Sequence, residues 1–224
     1  MIERLLEPEV MDSADEANDY DAMDHSQVNQ VFVDDLLSLA SETWTAENID
    51  ILDLGTGTAR IPIELCHRVE EIRVLAIDLA ASMLDVAKMN IDFANLLDRI
   101  MLDLMDAKQL DLDDDRFDAT ISNSIIHHVP NPATVISETI RVTKPDGVVF
   151  LRDLMRPSSI NEVDKLVQQY AGAENEHAQE MFYNSLRAAL SIDEMRDLVR
   201  SHGFDSSTVQ ATSDRHWTWA ATNV

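Results

Sequence analysis

The stretch Ile49-Asp50-Ile51-Leu52-Asp53-Leu54-Gly55-Thr56-Gly57-Thr58-Ala59 decides the fold of this 224-residue chain. Ile49 to Leu54 is a short apolar run stopped by Gly55, and Ala59 to Val69 fits a helix. Two glycines between a strand and a helix permit positive φ and let backbone approach a ligand with no Cβ in the way. A dinucleotide fingerprint would need a third Gly or Ala where Arg60 stands. The carboxylate of Asp53, just before the glycines, would repel a pyrophosphate. It suits an ammonium group, or it holds the glycine loop.

Working outward, strands and helices keep alternating. Val74 to Asp78 reads as a second buried strand and Ser82 to Leu97 as a helix. Arg99 to Leu102 and Phe117 to Ser122 read as further strands, Pro132 to Val142 as a helix, Lys144-Pro145-Asp146-Gly147 as a turn, and Val148 to Leu151 as a fifth strand. This alternation predicts an α/β fold with a parallel sheet covered on both faces, and ligands beyond the carboxyl ends of its strands. Four candidates fall at that edge: Asp53, Asp78 (21 residues after Gly57), Asp106-Ala107 and Asn123. An acid in the place of Asp78 is set to accept from both hydroxyls of a ribose.

At ~150 residues per domain the length gives one domain, or one with additions. Lys plus Arg total 17 against 42 Asp plus Glu, a formal net charge of −25. That charge argues against nucleic acid, whose binding needs a basic footprint, and against anionic membrane surfaces. One cysteine, Cys66, leaves no internal disulfide framework and no multi-cysteine zinc site. The acidic start Met1-Ile2-Glu3-Arg4 is unlike a secretory leader, no apolar run reaches the ~20 residues of a membrane span, and a cytoplasmic home is expected.

Residues 1–50 carry fourteen acidic residues and one Lys or Arg, Arg4. Val10, Met11, Tyr20 and Met23 punctuate this acidic stretch. Val28, Val31, Phe32, Leu36, Leu37 and Leu39 then give an amphipathic helix with Ser26 as its cap. Residues 1–47 are expected to form an N-terminal helical arm, or lid. The alternative is a solvated leader over the first ~15 residues.

Between residues 49 and 154 the chain resembles the class I S-adenosylmethionine-dependent methyltransferases, especially the group that includes the ubiquinone/menaquinone C-methyltransferases. The stretches that carry the resemblance are Ile51 to Ala59, Ala76-Ile77-Asp78-Leu79, Ser82-Met83-Leu84-Asp85-Val86-Ala87, Asp106-Ala107, Phe117-Asp118, Ile126-His127-His128 and Arg141 to Gly147. Their order and spacing, rather than any one of them, make it specific. Two departures are visible. Ala59 stands where the family has a third glycine, and Asp146 stands for the first glycine of its Lys-Pro-Gly-Gly turn. An Ala is small enough for a helix start and an Asp suits a turn.

The resemblance implies a Rossmann-like three-layer sandwich with a mostly parallel seven-stranded sheet, one strand antiparallel near the edge, and S-adenosylmethionine as cofactor (S-adenosylhomocysteine as product). It implies that Asp53 with Gly55, Thr56 and Gly57 faces the methionine part, that Asp78 holds the ribose hydroxyls, and that Leu79 and Met83 sandwich the adenine. Asp106 would accept from the adenine amino group beside the Ala107 N–H, and Asn123 would line the floor near the sulfonium. Asp53 also reads as a strand-end cap, Asp106 as a loop acid, and Leu79 and Met83 as plain core.

Methyl transfer needs alignment and exclusion of water more than it needs a base. The residues expected to face an acceptor are His127, His128, Arg152, Tyr20 and His25. His127-His128 reads equally as a turn before Pro130, and Arg152 equally as the partner of Asp153. Tyr20-Asp21 looks like the family's N-terminal segment that closes over the cofactor. Residues 155–190 hold two helical stretches, Asn161 to Tyr170 and Glu174 to Leu190, expected to form a helical cap within a domain of residues 48–224; Tyr170, Phe182, Tyr183 and Arg187 either line it or pack it. Ser191 caps a further helix with Glu194 in the capping-box position. Phe204 to Ala211 and Arg215 to Ala221 suit the closing hairpin, with Trp217 and Trp219 inward, and Arg215-His216 are candidates to reach the pocket. With no local spacing such as His-Glu-x-x-His, no metal is expected. The implied enzyme methylates a small molecule at oxygen, nitrogen, sulfur or carbon, as a monomer or homodimer. The alternatives are methylation of a basic peptide or protein, and a cofactor-binding partner subunit without activity.

Overall fold

The computed structural model describes residues 2–7, 12–41, 43–44 and 48–223. Val10 and Met11, and the junction at 45–47 where the arm was expected to end, lie outside the described residues. The helices are α1 Ala14–Ala22, α2 Ser26–Ala40, α3 Arg60–Arg68, α4 Ala81–Phe93, α5 Pro132–Val142, α6 Ile160–Tyr170, α7 Glu176–Ala188 and α8 Ile192–Ser201. The strands are β1 Ile49–Leu54, β2 Ile72–Asp78, β3 Ile100–Leu104, β4 Phe117–Asn123, β5 Thr143–Leu154, β6 Val209–Ala211 and β7 His216–Thr222. They form one seven-stranded sheet in the order β3-β2-β1-β4-β5-β7-β6. The pairs β1–β2, β1–β4 and β2–β3 are parallel, and β6–β7 is antiparallel at the far edge. The expected Rossmann-like sheet, with helices against it, is therefore present.

The chain divides into two compact units. The first comprises Val10–Asn123, Thr134–Leu151 and Ala220–Val224. Its core follows from alternation: Ile51, Val74, Ala76, Ala119 and Ile121 are buried and pack with Phe32, Val33 and Leu36 of α2 and with Leu65 of α3. The rings of Phe32 and Phe150 meet edge to face at 4.9 Å, an arrangement that adds about 0.5–1.5 kcal/mol beyond the area buried. The Arg99 guanidinium closes the α3–β2 connection by donating to the carbonyls of Cys66, Val69 and Ile72.

The second unit comprises Met1–Glu9, Ser124–Ala133 and Arg152–Trp219. Its helices α6 and α7 replace the expected 161–170 and 174–190, and bury Leu154, Val163, Leu186 and Ala189 with Phe182 and Tyr183 against them. Phe182 and Tyr183 thus pack, while Tyr170 lies at the surface under the Arg215 guanidinium, 3.5 Å from its ring centre. The Ser191–Glu194 capping box forms. Trp217 and Trp219 are fully buried, with Trp219 edge to face on Phe204 at 5.1 Å.

Three expectations are corrected. Ser26 does not cap α2: it is the first helical residue, and the carboxylate of Asp24 accepts from its N–H and its hydroxyl at 3.0 and 2.5 Å. Residues 2–7 form no helix, and the first helix among the described residues of the arm is α1, where the Ser13 side chain accepts from Glu16 N–H. The 144–147 segment is not a separate turn but the start of β5, held by bonds from Asp146 N–H to Asn223 C=O (2.9 Å) and from Asn223 N–H to Gly147 C=O (2.7 Å).

Both departures from family glycines sit in left-handed backbone, Ala59 at φ 62° and Asp146 at φ 64°. That conformation costs an L-residue roughly 1–2 kcal/mol, less for Asp than for most. Gly147 is needed for a different reason: a Cβ there would lie 2.8 Å from the Lys144 carbonyl. Substituting Asp146, which is exposed, should rank stability Gly above Asp above Val, with about 2 kcal/mol between the extremes because β-branched residues fit this region worst. Thermal unfolding should record that as a spread of roughly 4–8 °C. Ala59→Gly should gain little, because the loss of a buried methyl worth about 0.8 kcal/mol and the roughly 0.5–1 kcal/mol of extra chain entropy of glycine offset the relieved strain. Equal melting temperatures for Asp146→Gly and Asp146→Val would contradict the backbone assignment.

Candidate functional site

In the first unit the parallel register brings three strand ends to one level. Leu54 lies opposite Ile77 on β2 and opposite Ser122 on β4. From there Gly55 and Gly57 turn the chain at φ 67° and 54°, as their place in the sequence required. Thr56 N–H donates to the Ile77 carbonyl at 2.9 Å. Asp78 then holds the loop from below: Oδ2 accepts from Gly57 N–H at 2.8 Å and Oδ1 from Ala80 N–H at 2.9 Å. Ser122 Oγ donates to the Leu54 carbonyl at 2.8 Å and ties in β4.

The arm lies against this edge. Tyr20, with Ala17, packs on Ala80, Met83 and Val86, and its ring comes within 3.6 Å of the position a Cβ on Gly57 would take. Arg60, the residue that spoils a dinucleotide fingerprint, makes a two-pronged pair with Asp21 at 2.9 and 2.7 Å. Asn90 Nδ2 donates to both Asp21 and the Thr58 carbonyl at 3.0 Å. Beneath the arm is a cavity of about 260 Å³ whose walls include Tyr20, His25, Asp53, Gly55, Thr56 and Asn123. The structure therefore unites six of the expected residues in one cavity. Asp21, expected with Tyr20 to close over the cofactor, is in the wall, and the structure adds Asn29 and Arg60, which the sequence reading had not assigned to the pocket.

Other candidates flank that cavity. Gly57 and Asp78 are joined behind it. Met105 N–H bonds the Asp78 carbonyl at 3.0 Å and so sets Asp106 and Ala107 beside Asp78. Asp106 accepts from Lys108 N–H at 2.9 Å and pairs with Lys108 Nζ at 3.2 Å. Leu79 is 40% exposed, whereas Met83 is 5% exposed because Ala17 and Tyr20 cover it.

The cavity's chemistry is set by burial. Desolvation, with the charge of Asp78 nearby, pushes Asp53 up to about 7 even with the Thr56 side chain beside it. Burial likewise raises Asp78, against the backbone N–H groups that favour its charged form. Burial raises Tyr20, with the charges of Asp78 and Asp53 adding to it, and burial lowers His25. His25 Nε2 and Asn123 Oδ1 are buried without a hydrogen-bond partner among the described residues. The buried carboxylate of Asp53 and the unpaired polar atoms make a pocket suited to a polar, cationic ligand, because a positive charge relieves the cost of keeping Asp53 ionised.

The second unit gathers the remaining candidates differently. His127, in a short 3₁₀ turn Ile126–His128, is buried with Nδ1 2.6 Å from Asp153 Oδ1, while Asp153 Oδ2 accepts from His127 N–H at 3.1 Å. Asp153 therefore serves His127, and Arg152 donates from Nε to Thr218 Oγ1 at 2.8 Å. Burial opposes a charged His127, but the charge and hydrogen bond of Asp153, with Glu7 behind, hold it above the usual imidazole range. Glu7, which sequence reasoning missed, lies 3.5 Å from His127 Nε2 and 3.2 Å from His128 Nδ1. The half-buried His216 is driven down to about 4 by burial and by Arg215.

Known proteins share this architecture. Residues 52–151 match the family described as methyltransferase domain. The biotin biosynthesis bifunctional protein BioHC of Teredinibacter turnerae is 29% identical over 163 residues, covering 69% of this chain and 28% of that protein. The ubiquinone/menaquinone biosynthesis C-methyltransferase UbiE of Rickettsia rickettsii is 27% identical over 197 residues, covering 77% of this chain and 79% of the relative. The chain thus spans little more than a quarter of the first relative and about four fifths of the second. Among solved structures, a SAM dependent methyltransferase from Aquifex aeolicus has the same fold, with a TM-score of 0.67 at 17% identity over 96% of this chain and 100% of that one. By these likenesses residues 52–151 are similar to the methyltransferase domain family, and the fold is that of solved S-adenosylmethionine-dependent methyltransferases.

Proposed function

We propose that the enzyme methylates a small-molecule acceptor, and that the acidic pocket under the arm is where donor and acceptor meet. The observation that carries this reading is the size and lining of the pocket: about 260 Å³, walled by Tyr20, His25, Asp53 and Asn123. A concave space of that size favours a small acceptor over a protein side chain presented on a large surface. The UbiE relative is a C-methyltransferase of ubiquinone and menaquinone biosynthesis, which agrees with a small-molecule acceptor.

When bound, the cofactor supplies a methyl group on a positively charged sulfonium. In the proposed arrangement Asp53 pairs with the ammonium of its methionine part, and Gly55, Thr56 and Gly57 give it a close backbone wall. Asp78 accepts from the ribose hydroxyls, Leu79 and Met83 border the adenine, and Asp106 with the Ala107 N–H meets its edge. Asn123 presents its unpaired Oδ1 near the reacting carbon. Tyr20 and His25 close the space and exclude water. The pocket is smaller than the ~300–1,000 Å³ usual for ligand sites, and Tyr20 covers Met83. Tyr20 and the helix α1 that carries it therefore shift as the donor enters. The internal bonds of His127 to Asp153 and of Arg152 to Thr218 favour structural roles for both. With His25 held neutral by burial, alignment supplies most of the catalysis.

Labelled S-adenosylmethionine, incubated with the enzyme and a fractionated cell extract, should mark a compound of low mass. Label in basic polypeptides instead would replace the small acceptor with a protein one.

Two binding measurements test the donor half. Asp78→Ala should weaken S-adenosylhomocysteine at least tenfold, about 1.4 kcal/mol. The variant should also lose the wild-type preference for the ribose over its 2′-deoxy analogue. Retained discrimination in calorimetry would remove Asp78 from the sugar. For Asp53 the sign follows from its value near 7: pairing with an ammonium favours the carboxylate, so binding expels a proton. Affinity should rise between pH 5.5 and 7.5, and Asp53→Asn should flatten that rise.

A further inference from the structure

We propose that Glu7, His127 and His128 form a binding site for a divalent transition metal ion of the zinc class, with Asp153 as the positioning residue for His127. They are the one group of three possible ligands that comes together among the described residues, with their ligand atoms all within 4.8 Å of one another. Two ligand–ligand distances are decisive. Glu7 Oε1 lies 3.2 Å from His128 Nδ1 and 3.5 Å from His127 Nε2, and donors about 2.0–2.1 Å from a tetrahedral zinc stand about 3.3 Å apart.

The surroundings are those of a metal site. Asp153 Oδ1 at 2.6 Å from His127 Nδ1 orients the ring and turns Nε2 toward Glu7, the carboxylate–histidine arrangement that supports ligating imidazoles. Ser185 Oγ donates to both oxygens of Glu7, at 3.0 and 3.3 Å, and fixes the carboxylate in turn. Arg4 anchors the segment that carries Glu7: Nε donates to the Ala188 carbonyl at 2.6 Å and Nη2 to Val129 at 3.0 Å. With the histidines neutral, Glu7 and Asp153 against Arg4 leave one negative charge, which a dication reverses by no more than one. Two imidazoles and one carboxylate select zinc, cobalt or nickel over magnesium or calcium. Three protein ligands leave a fourth position for water.

The rival occupant is a proton, with His127 bridging the two carboxylates as an internal ion pair. Chelator-treated enzyme should take up one zinc per chain in elemental analysis, and cobalt should give the intense visible absorption of tetrahedral coordination. Glu7→Gln and His128→Gln change partly exposed residues, and each should weaken uptake at least tenfold in a protein whose circular dichroism is unchanged. Asp153→Asn should weaken it about 10–100-fold and shift the cobalt spectrum. Failure of the wild type to retain zinc would overturn the proposal, as would uptake that survives both Glu7→Gln and His128→Gln. Cofactor affinity is a separate readout, so a failed donor assignment at Asp78 leaves this test intact.

Discussion

A buried carboxylate and a half-buried one at neighbouring strand ends constrain the first unit. The parallel pairing of β1 and β2 fixes Asp53 and Asp78 near one another, and each raises the cost of ionising the other. Asp78 offsets part of that cost with the N–H groups of Gly57 and Ala80. In doing so it shapes the glycine loop. Asp53 has less help, which is why it sits near 7. An external cation placed beside Asp53 would relieve that cost.

Much of this was legible because it depends on neighbours in sequence. Gly55 and Gly57 announce a turn through the only side chain that costs nothing at positive φ. The apolar runs at Ile51 and Val74 announce buried parallel strands, and Ser191 with Glu194 announces a helix start from its own capping groups. The cavity residues Asp53, Thr56 and Asn123 follow from strand ends alone, once the strand order is known. Even Arg60 was informative as a misfit, although its partner was not.

The rest depends on contacts that chain distance conceals. Nothing local links Glu7 to His127, which are separated by most of the sheet in sequence, and so a search for compact metal-ligand spacing passed over them. Asp24 displaced Ser26 as the cap because a carboxylate two residues earlier reaches both the N–H and the hydroxyl. The start of β5 looked like a turn from Pro145, Asp146 and Gly147. It is held in the sheet by Asn223, from the other end of the chain, whose side chain also accepts the task of bonding the Ile140 and Thr143 carbonyls. Glycine departures at Ala59 and Asp146 seemed harmless by size, whereas the backbone angle is what each position tests.

The pair between Arg60 and Asp21 joins the arm to the first turn after the glycine loop. Its arginine is half exposed, so water and dissolved ions compete for it directly. An ion pair in that position behaves as a latch whose grip weakens with salt, while the apolar contacts of Tyr20 beside it do not weaken in the same way. The helix that carries Tyr20 is thereby held by two contacts of different physical origin: one answers to ionic strength, the other to temperature.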